Sequence, residues 1–306
     1  MLDACFNVLD ERFRKLVMPN VHVEKLFTGC RWSEGPAYFP AGRYLVWSDI
    51  PNDRMMRWDE TDGSVSVFRS PAFNSNGNTR DLHGRLVTCE HGGRCVSRTE
   101  FDGSRRVLAS HFQNKRLNSP NDVVVKSDGS LWFTDPSYGI DTDYEGDAAE
   151  HEIGGCNVYR LEPESGELTL VANDFQQPNG LAFSPDESLL YIADTGATHS
   201  SDGAHHIRRF SVNEDGVSLS GGEVFAECTA GLFDGFRVDT GGNLWSSAAD
   251  GVHCISPDGT LIGKISIPEV VANLCFGGRK RNRLFICGTT SLYSVYVNAS
   301  GALPRA

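Results

Sequence analysis

The chain has 306 residues, 40% hydrophobic and 22% charged, an ordinary soluble composition and enough length for one large domain or two. A formal net charge of −12 argues against nucleic acid or an anionic membrane as partner and suits a neutral substrate or a bound cation. No run approaches the roughly 18 apolar residues of a membrane span. The nine scattered cysteines contain no CxxC pair, which excludes a zinc–thiolate site and a disulfide framework and leaves free thiols, as in a reducing cytoplasm.

In chain order, the first segment, MLDACFNVLDERFRKLVMPN, is no signal peptide, because Asp and Arg interrupt any apolar stretch. Cys5, Phe6, Leu9, Phe13 and Leu16 fall at helical spacing, which predicts a short amphipathic helix in an N-terminal extension of residues 1–25. From residue 26 onward one pattern recurs: a turn with Gly or Asp, then an apolar strand ending in a small or acidic residue. The copies are AGRYLVWSD, HGRLVTCE, DGSLWFTD, DESLLYIAD, GGNLWSSA and RNRLFICG. They align on Leu45, Leu86, Leu131, Leu190, Leu244 and Leu284, at intervals of 41, 45, 59, 54 and 40, the two long ones carrying hydrophilic insertions. Short strands and turns repeating every 40–50 residues or so are the signature of a β-propeller with four strands per blade. Six copies predict an all-β, six-bladed propeller over residues 26–306, with no linker to divide it. A closed ring also spares its sheets long exposed edges.

Ten or eleven residues before each aligned Leu stands a carboxylate or a carboxamide: Glu34, Asn76, Asn121, Asn179, Asp234 and Asn273. Taken singly, each reads as a turn residue. In a propeller, however, the first strand of every blade lines the central channel, so these six positions form a ring around the axis. The ring offers oxygen donors and no Cys or His, which suits a hard divalent cation. Ca²⁺ tolerates such irregular sets best; Mg²⁺, Mn²⁺ and Zn²⁺ are the alternatives. Ligands from only part of the ring leave positions open for water and substrate.

Other motifs carry less. No GxSxG elbow, GxGxxG or Walker loop occurs, and HEIGG (151–155) lacks the second His of a zinc protease. In the insertion DTDYEGDAAEHE, Asp141, Asp143, Glu145, Gly146 and Glu152 match EF-hand spacing except for one Glu, but the flanks read as strands, so an acidic loop at the channel mouth is expected. His91 follows the central strand of blade two and is a candidate to face the channel, a packed histidine being the alternative. Asp135 and Tyr138 are candidates to line the mouth. The pair His205–His206 is expected on the surface.

At WSEGPAYF, CEHGGRCVSRTEFDG, KRLNSPNDVVVKSDGSLWFTDPSYGI, QPNGLAFSPDESLLYIADTG and FDGFRVDTGGNLW the chain resembles the gluconolactonase and regucalcin (senescence marker protein, luciferin-regenerating-enzyme-like) family, its bacterial gluconolactonase-like members above all. The resemblance covers nearly everything from about Leu26. It implies six blades and a divalent metal in the channel, usually calcium, with Glu34, Asn179 and Asp234 matching the metal ligands. Asn121 matches a residue that binds metal or contacts substrate, and the Arg that regucalcin carries two positions earlier is Ser119 here. The function so implied is metal-dependent hydrolysis of a sugar lactone; the free cysteines place it in the cytoplasm, and a monomer or a homodimer is expected. Asp234 would be general base or nucleophile, and Asn121, His91, Asp135 and Tyr138 would contact substrate. The alternatives are a phosphotriester or fluorophosphate hydrolase of the same fold and a non-catalytic calcium-binding propeller.

Overall fold

Each repeated apolar strand can bury both faces only if other sheets stack against it on either side. A computed structural model describes residues 2–304 and shows how this is done. Six antiparallel sheets are arranged as the blades of a propeller, with four meandering strands over each of 33–69, 75–109, 123–175, 178–227 and 236–266 and three over 271–296. The six aligned leucines all lie on the second strand of their blade and are at most 4% exposed. Burial of such a side chain contributes about 1.5–3 kcal/mol. Trp47, Trp132 and Trp245, also on second strands, are completely buried between blades. Second strands such as Leu131–Asp135 are buried at every residue, which explains their continuous apolar character.

The ring is closed by a strand from the other end of the chain. Glu24–Thr28 pairs antiparallel with Ser291–Tyr296 and completes blade six, so the propeller begins at Glu24 rather than at residue 26. The expected N-terminal helix is realised over a single turn only, Glu11–Arg14, capped by Asp10, whose carboxylate accepts from Arg12 N at 2.8 Å. Phe6–Val8 is instead a strand, added as a fifth member to the outer edge of blade five. The physical reason is the open edge: pairing there satisfies backbone groups on both strands, which a helix would leave unmatched. The apolar positions still face inward where it matters. Phe6 is buried, and Phe13, fully buried, packs 6.0 Å from Trp245, whereas Leu9 is 51% exposed. Among the described residues no helix is long and apolar enough to cross a membrane.

Both long intervals in the repeat become loops at one mouth of the channel. The insertion after Leu131–Asp135 contains one helical turn, Tyr138–Asp141. The other, after Leu189–Asp194, contains the short turn Gly196–Thr198. They are joined where His199 Nε2 meets Asp141 Oδ2 at 2.8 Å.

Candidate active site

The six ring residues stand at or just before the start of the innermost strands, and all but Asp234 are 5% exposed or less. Four of them precede glycine, and close approach explains why. A Cβ on Gly35 (φ +52°) would lie 2.0 Å from Asn76 O, and one on Gly180 would lie 2.2 Å from Asp234 O. The missing side chains let neighbouring blades touch through their backbones, with Gly77 N donating to Asn121 O at 2.7 Å and Gly180 N to Asp234 O at 3.1 Å. The Asn-Gly and Asp-Gly pairs therefore set the diameter of the ring as well as making turns.

Glu34, Asn76, Asn121 and Asp234 line one cavity of about 360 Å³, walled above by Trp32, Tyr138, Tyr144 and Glu145. Among the described residues no lysine or arginine lines it. Burial, and then the charge of Asp122, hold the Glu34 carboxyl above the usual carboxylate range against the opposing donation from Asn273. Asp234 is pushed up by burial and then by Glu34 itself. The nearby Arg237 is engaged elsewhere, bonding Asp122 at 3.2 Å. Two buried carboxylates that repel one another with no basic partner, next to amide oxygens, match the donor set of a hard divalent cation. No group of three or more His, Cys, Asp or Glu side chains suited to a metal occurs among the described residues, so a cation here would depend on the amides.

The carboxamides are not equivalent. Asn179 turns its amide nitrogen to Thr195 Oγ1 at 3.3 Å, and no donor among the described residues meets its oxygen. Asn273 uses both ends: its amide donates to Glu34 Oε2 at 2.9 Å and its oxygen accepts from Leu274 N at 2.8 Å. It steadies Glu34, and its oxygen is already engaged by a backbone donor.

Of the other expected site residues, Tyr138 lines the cavity, its hydroxyl 2.6 Å from Thr195 Oγ1. Asp135 and His91 do not. Asp135 is fully buried beneath the segment that carries Asn121 and accepts from Asn118 N at 3.0 Å. Burial pushes its carboxyl up to about 7. His91 is also fully buried, because Gly139 of the rim loop packs directly on it, and burial pushes its imidazole down to about 4. It meets Asn76 and the rim loop rather than open space. The acidic insertion forms the cavity wall through Asp141, Thr142, Tyr144 and Glu145. Its EF-hand-like residues take separate partners: Asp141 holds His199, Asp143 accepts from Ala148 N, and Glu152 accepts from Arg116 N. His205 and His206 are away from this cavity.

Residues 32–290 match the family model described as "SMP-30/Gluconolactonase/LRE-like region". The chain belongs to this family. Among its relatives is a gluconolactonase from Zymomonas mobilis, 32% identical over 302 residues, which cover 91% of this chain and 82% of that protein. Another is the pentonolactonase XacC of Haloferax volcanii, 30% identical over 85% of this chain and 82% of its own. The solved structure of XC5397 from Xanthomonas campestris, described as a gluconolactonase, superposes with a TM-score of 0.89 at 38% identity, covering 95% of this chain and 94% of that one.

Family membership directs attention to residues that sequence reasoning passed over. Three residues after the aligned Leu stand Ser48, Thr134 and Ser247. Ser48 Oγ donates to Asn76 O at 2.7 Å, Thr134 Oγ1 donates to Asn179 O at 2.8 Å, and Ser247 Oγ accepts from Asp234 N at 2.9 Å. These hydroxyls hold the backbone of the ring. Their signal was available in the repeat register, where a hydroxyl recurs at one position of otherwise apolar strands. Trp32, Tyr144, Thr198 and His199 carried no such signal, because only the folded loops bring them over the ring.

Proposed function

We propose that the chain hydrolyses sugar lactones at a divalent cation, calcium in preference, held by Glu34, Asn121, Asn179 and Asp234. The observation that carries this reading is the convergence of the Glu34 and Asp234 carboxylates on one cavity that no lysine or arginine of the described residues lines. Ionised together they repel one another, a cation between them relieves that repulsion, and the donors offered are all oxygen. The lactonase activities for which the relatives are named support a cyclic ester as the substrate. A divalent cation bound there supplies Lewis acidity, polarising the lactone carbonyl and offsetting the charge that develops on its oxygen.

Asp234 acts as general base, taking a proton from the water that attacks the carbonyl carbon. Its backbone is held on one side by Ser247 and on the other by Gly180, and the Asn179 side chain approaches its carboxylate. The ring carbon–oxygen bond breaks, the proton passes to the departing alkoxide, and a hydroxy acid results. Trp32, Tyr138 and Tyr144 offer flat faces to a sugar ring, and Glu145 and Asp141 accept from its hydroxyls. The same acidic wall repels the carboxylate product, which favours its release.

The test is a panel of aldonolactones and phosphotriesters assayed with and without chelator. Chelation is expected to abolish lactone hydrolysis and to lower thermal stability, and calcium to restore both. Saturating ligand at about 100 Kd contributes about 2.7 kcal/mol to stability. Full activity in metal-free protein would remove the cation from the reaction. Turnover of phosphotriesters alone would replace the substrate class.

A further inference from the structure

His91 stands between the ring and the rim loop, and its two nitrogens constrain each other. Nδ1 lies 3.2 Å from the carbonyl oxygen of Glu145, which can only accept, so Nδ1 carries the proton. Full burial keeps the imidazole neutral, which leaves Nε2 as a bare acceptor. Asn76 Nδ2 lies 3.1 Å from it and donates. The carboxamide is thereby fixed in one of its two orientations, with Oδ1 turned away from His91. That oxygen is buried and has no hydrogen-bond partner among the described residues, although Asn76 lines the cavity beside Glu34, Asn121 and Asp234. A buried acceptor of this kind requires a donor from whatever occupies the site. Neighbouring carboxylates supply none, while a polyhydroxy lactone brings several.

We propose that Asn76 recognises a hydroxyl group of the lactone through Oδ1, and that His91 is the positioning residue that aims it while tying the rim loop to the ring. The proposal rests on the lactonase reading and extends it to a residue outside the proposed cation ligands. A neutral imidazole is suited to both tasks because it donates at one edge and accepts at the other. A glutamine side chain can imitate that pattern; an alanine cannot.

The experiment measures kcat/KM for D-glucono-1,5-lactone and its monodeoxy analogues, with calcium affinity by calorimetry and melting temperature for each variant. Asn76→Ala is expected to lose about tenfold in kcat/KM on the parent lactone, the usual scale for one hydrogen bond, with calcium affinity within about twofold of wild type. Against the one analogue that lacks the contacted hydroxyl, wild type and Asn76→Ala should be equal. His91→Ala is expected to lose at least as much as Asn76→Ala, and His91→Gln to stay within about threefold of wild type. Should His91→Ala fail to fold, Asn76→Ala and His91→Gln carry the test. Asn76→Ala with unchanged kcat/KM would overturn the proposal, as would an equal loss on every deoxy analogue. A loss of calcium affinity in step with activity would make Asn76 a cation ligand and overturn it too. Wild-type protein that opens no lactone would refute the lactonase reading itself, an outcome distinct from any of these.

Discussion

Asp135 offers a direct measure of how burial is used to support the site. Its carboxyl is fully buried, accepts from Asn118 N through Oδ2, and has no partner at Oδ1 among the described residues. Burial outweighs the opposing backbone donations from Asn118 and Ser119 and the charge of Arg94, and lifts the carboxyl from 3.8 to about 7. A raised folded-state value means that the native protein holds a proton which the unfolded chain releases. The contribution is therefore fully present below about pH 4 and is lost as pH rises through about 7. Some three units at about 1.36 kcal/mol each set a ceiling of about 4 kcal/mol on the loss. Asp135→Asn removes the titration while keeping an acceptor for Asn118. Denaturant midpoints of the two proteins, measured from pH 4 to pH 8 at fixed calcium, isolate the effect. The stability of Asp135→Asn relative to wild type should climb across that range by up to about 4 kcal/mol. A flat difference would refute the reasoning, and a falling one would mean that the backbone donors of Asn118 and Ser119, with Arg94, outweigh burial at this carboxyl.

Asp234→Asn is expected to lower kcat by at least about 100-fold, the scale for removing a general base, yet to raise the melting temperature of the chelated protein by removing one of two repelling carboxylates. Asn273→Ala should cost less activity, since it only frees Glu34 to move; equal losses in the two variants would deny Asp234 a special role. In the rim loop, Asp143→Ala combined with Glu145→Ala should alter KM or lactone preference while calorimetry still finds one calcium per chain. A second calcium in wild type, lost in this double variant, would make the loop a cation site instead.

The propeller was legible because its signal is local and repeated. A turn, an apolar strand and an aligned Leu recur six times, and each Leu takes the same place on the second strand of its blade. Strand alternation and turn chemistry act over a few residues, so their register survives without tertiary information. The N-terminus was misjudged for the complementary reason. The spacing of Phe6, Leu9 and Phe13 satisfies a helix, but the edge of blade five, more than 250 residues away, offered Phe6–Val8 a ladder of hydrogen bonds. Local preference in so short a segment was too weak to resist it.

The candidate site divides in the same way. The sequence by itself determined which residue types begin the innermost strands, and hence that six oxygen-bearing side chains surround the channel. It also determined the glycines that let those strands meet. Which oxygens remain available was decided only by the tertiary structure, because each carboxamide has two ends and its partner is brought to it by the fold. Asn273 reaches Glu34 across 239 residues and turns its amide nitrogen to it. Asn76 meets His91, and Asn179 meets Thr195, each at the end of the next strand, where the fold of the rim loops fixes the geometry. Hydrogen bonding consumes one end of an amide and thereby exposes the other, and no reading of residue types along a chain reveals which end that will be.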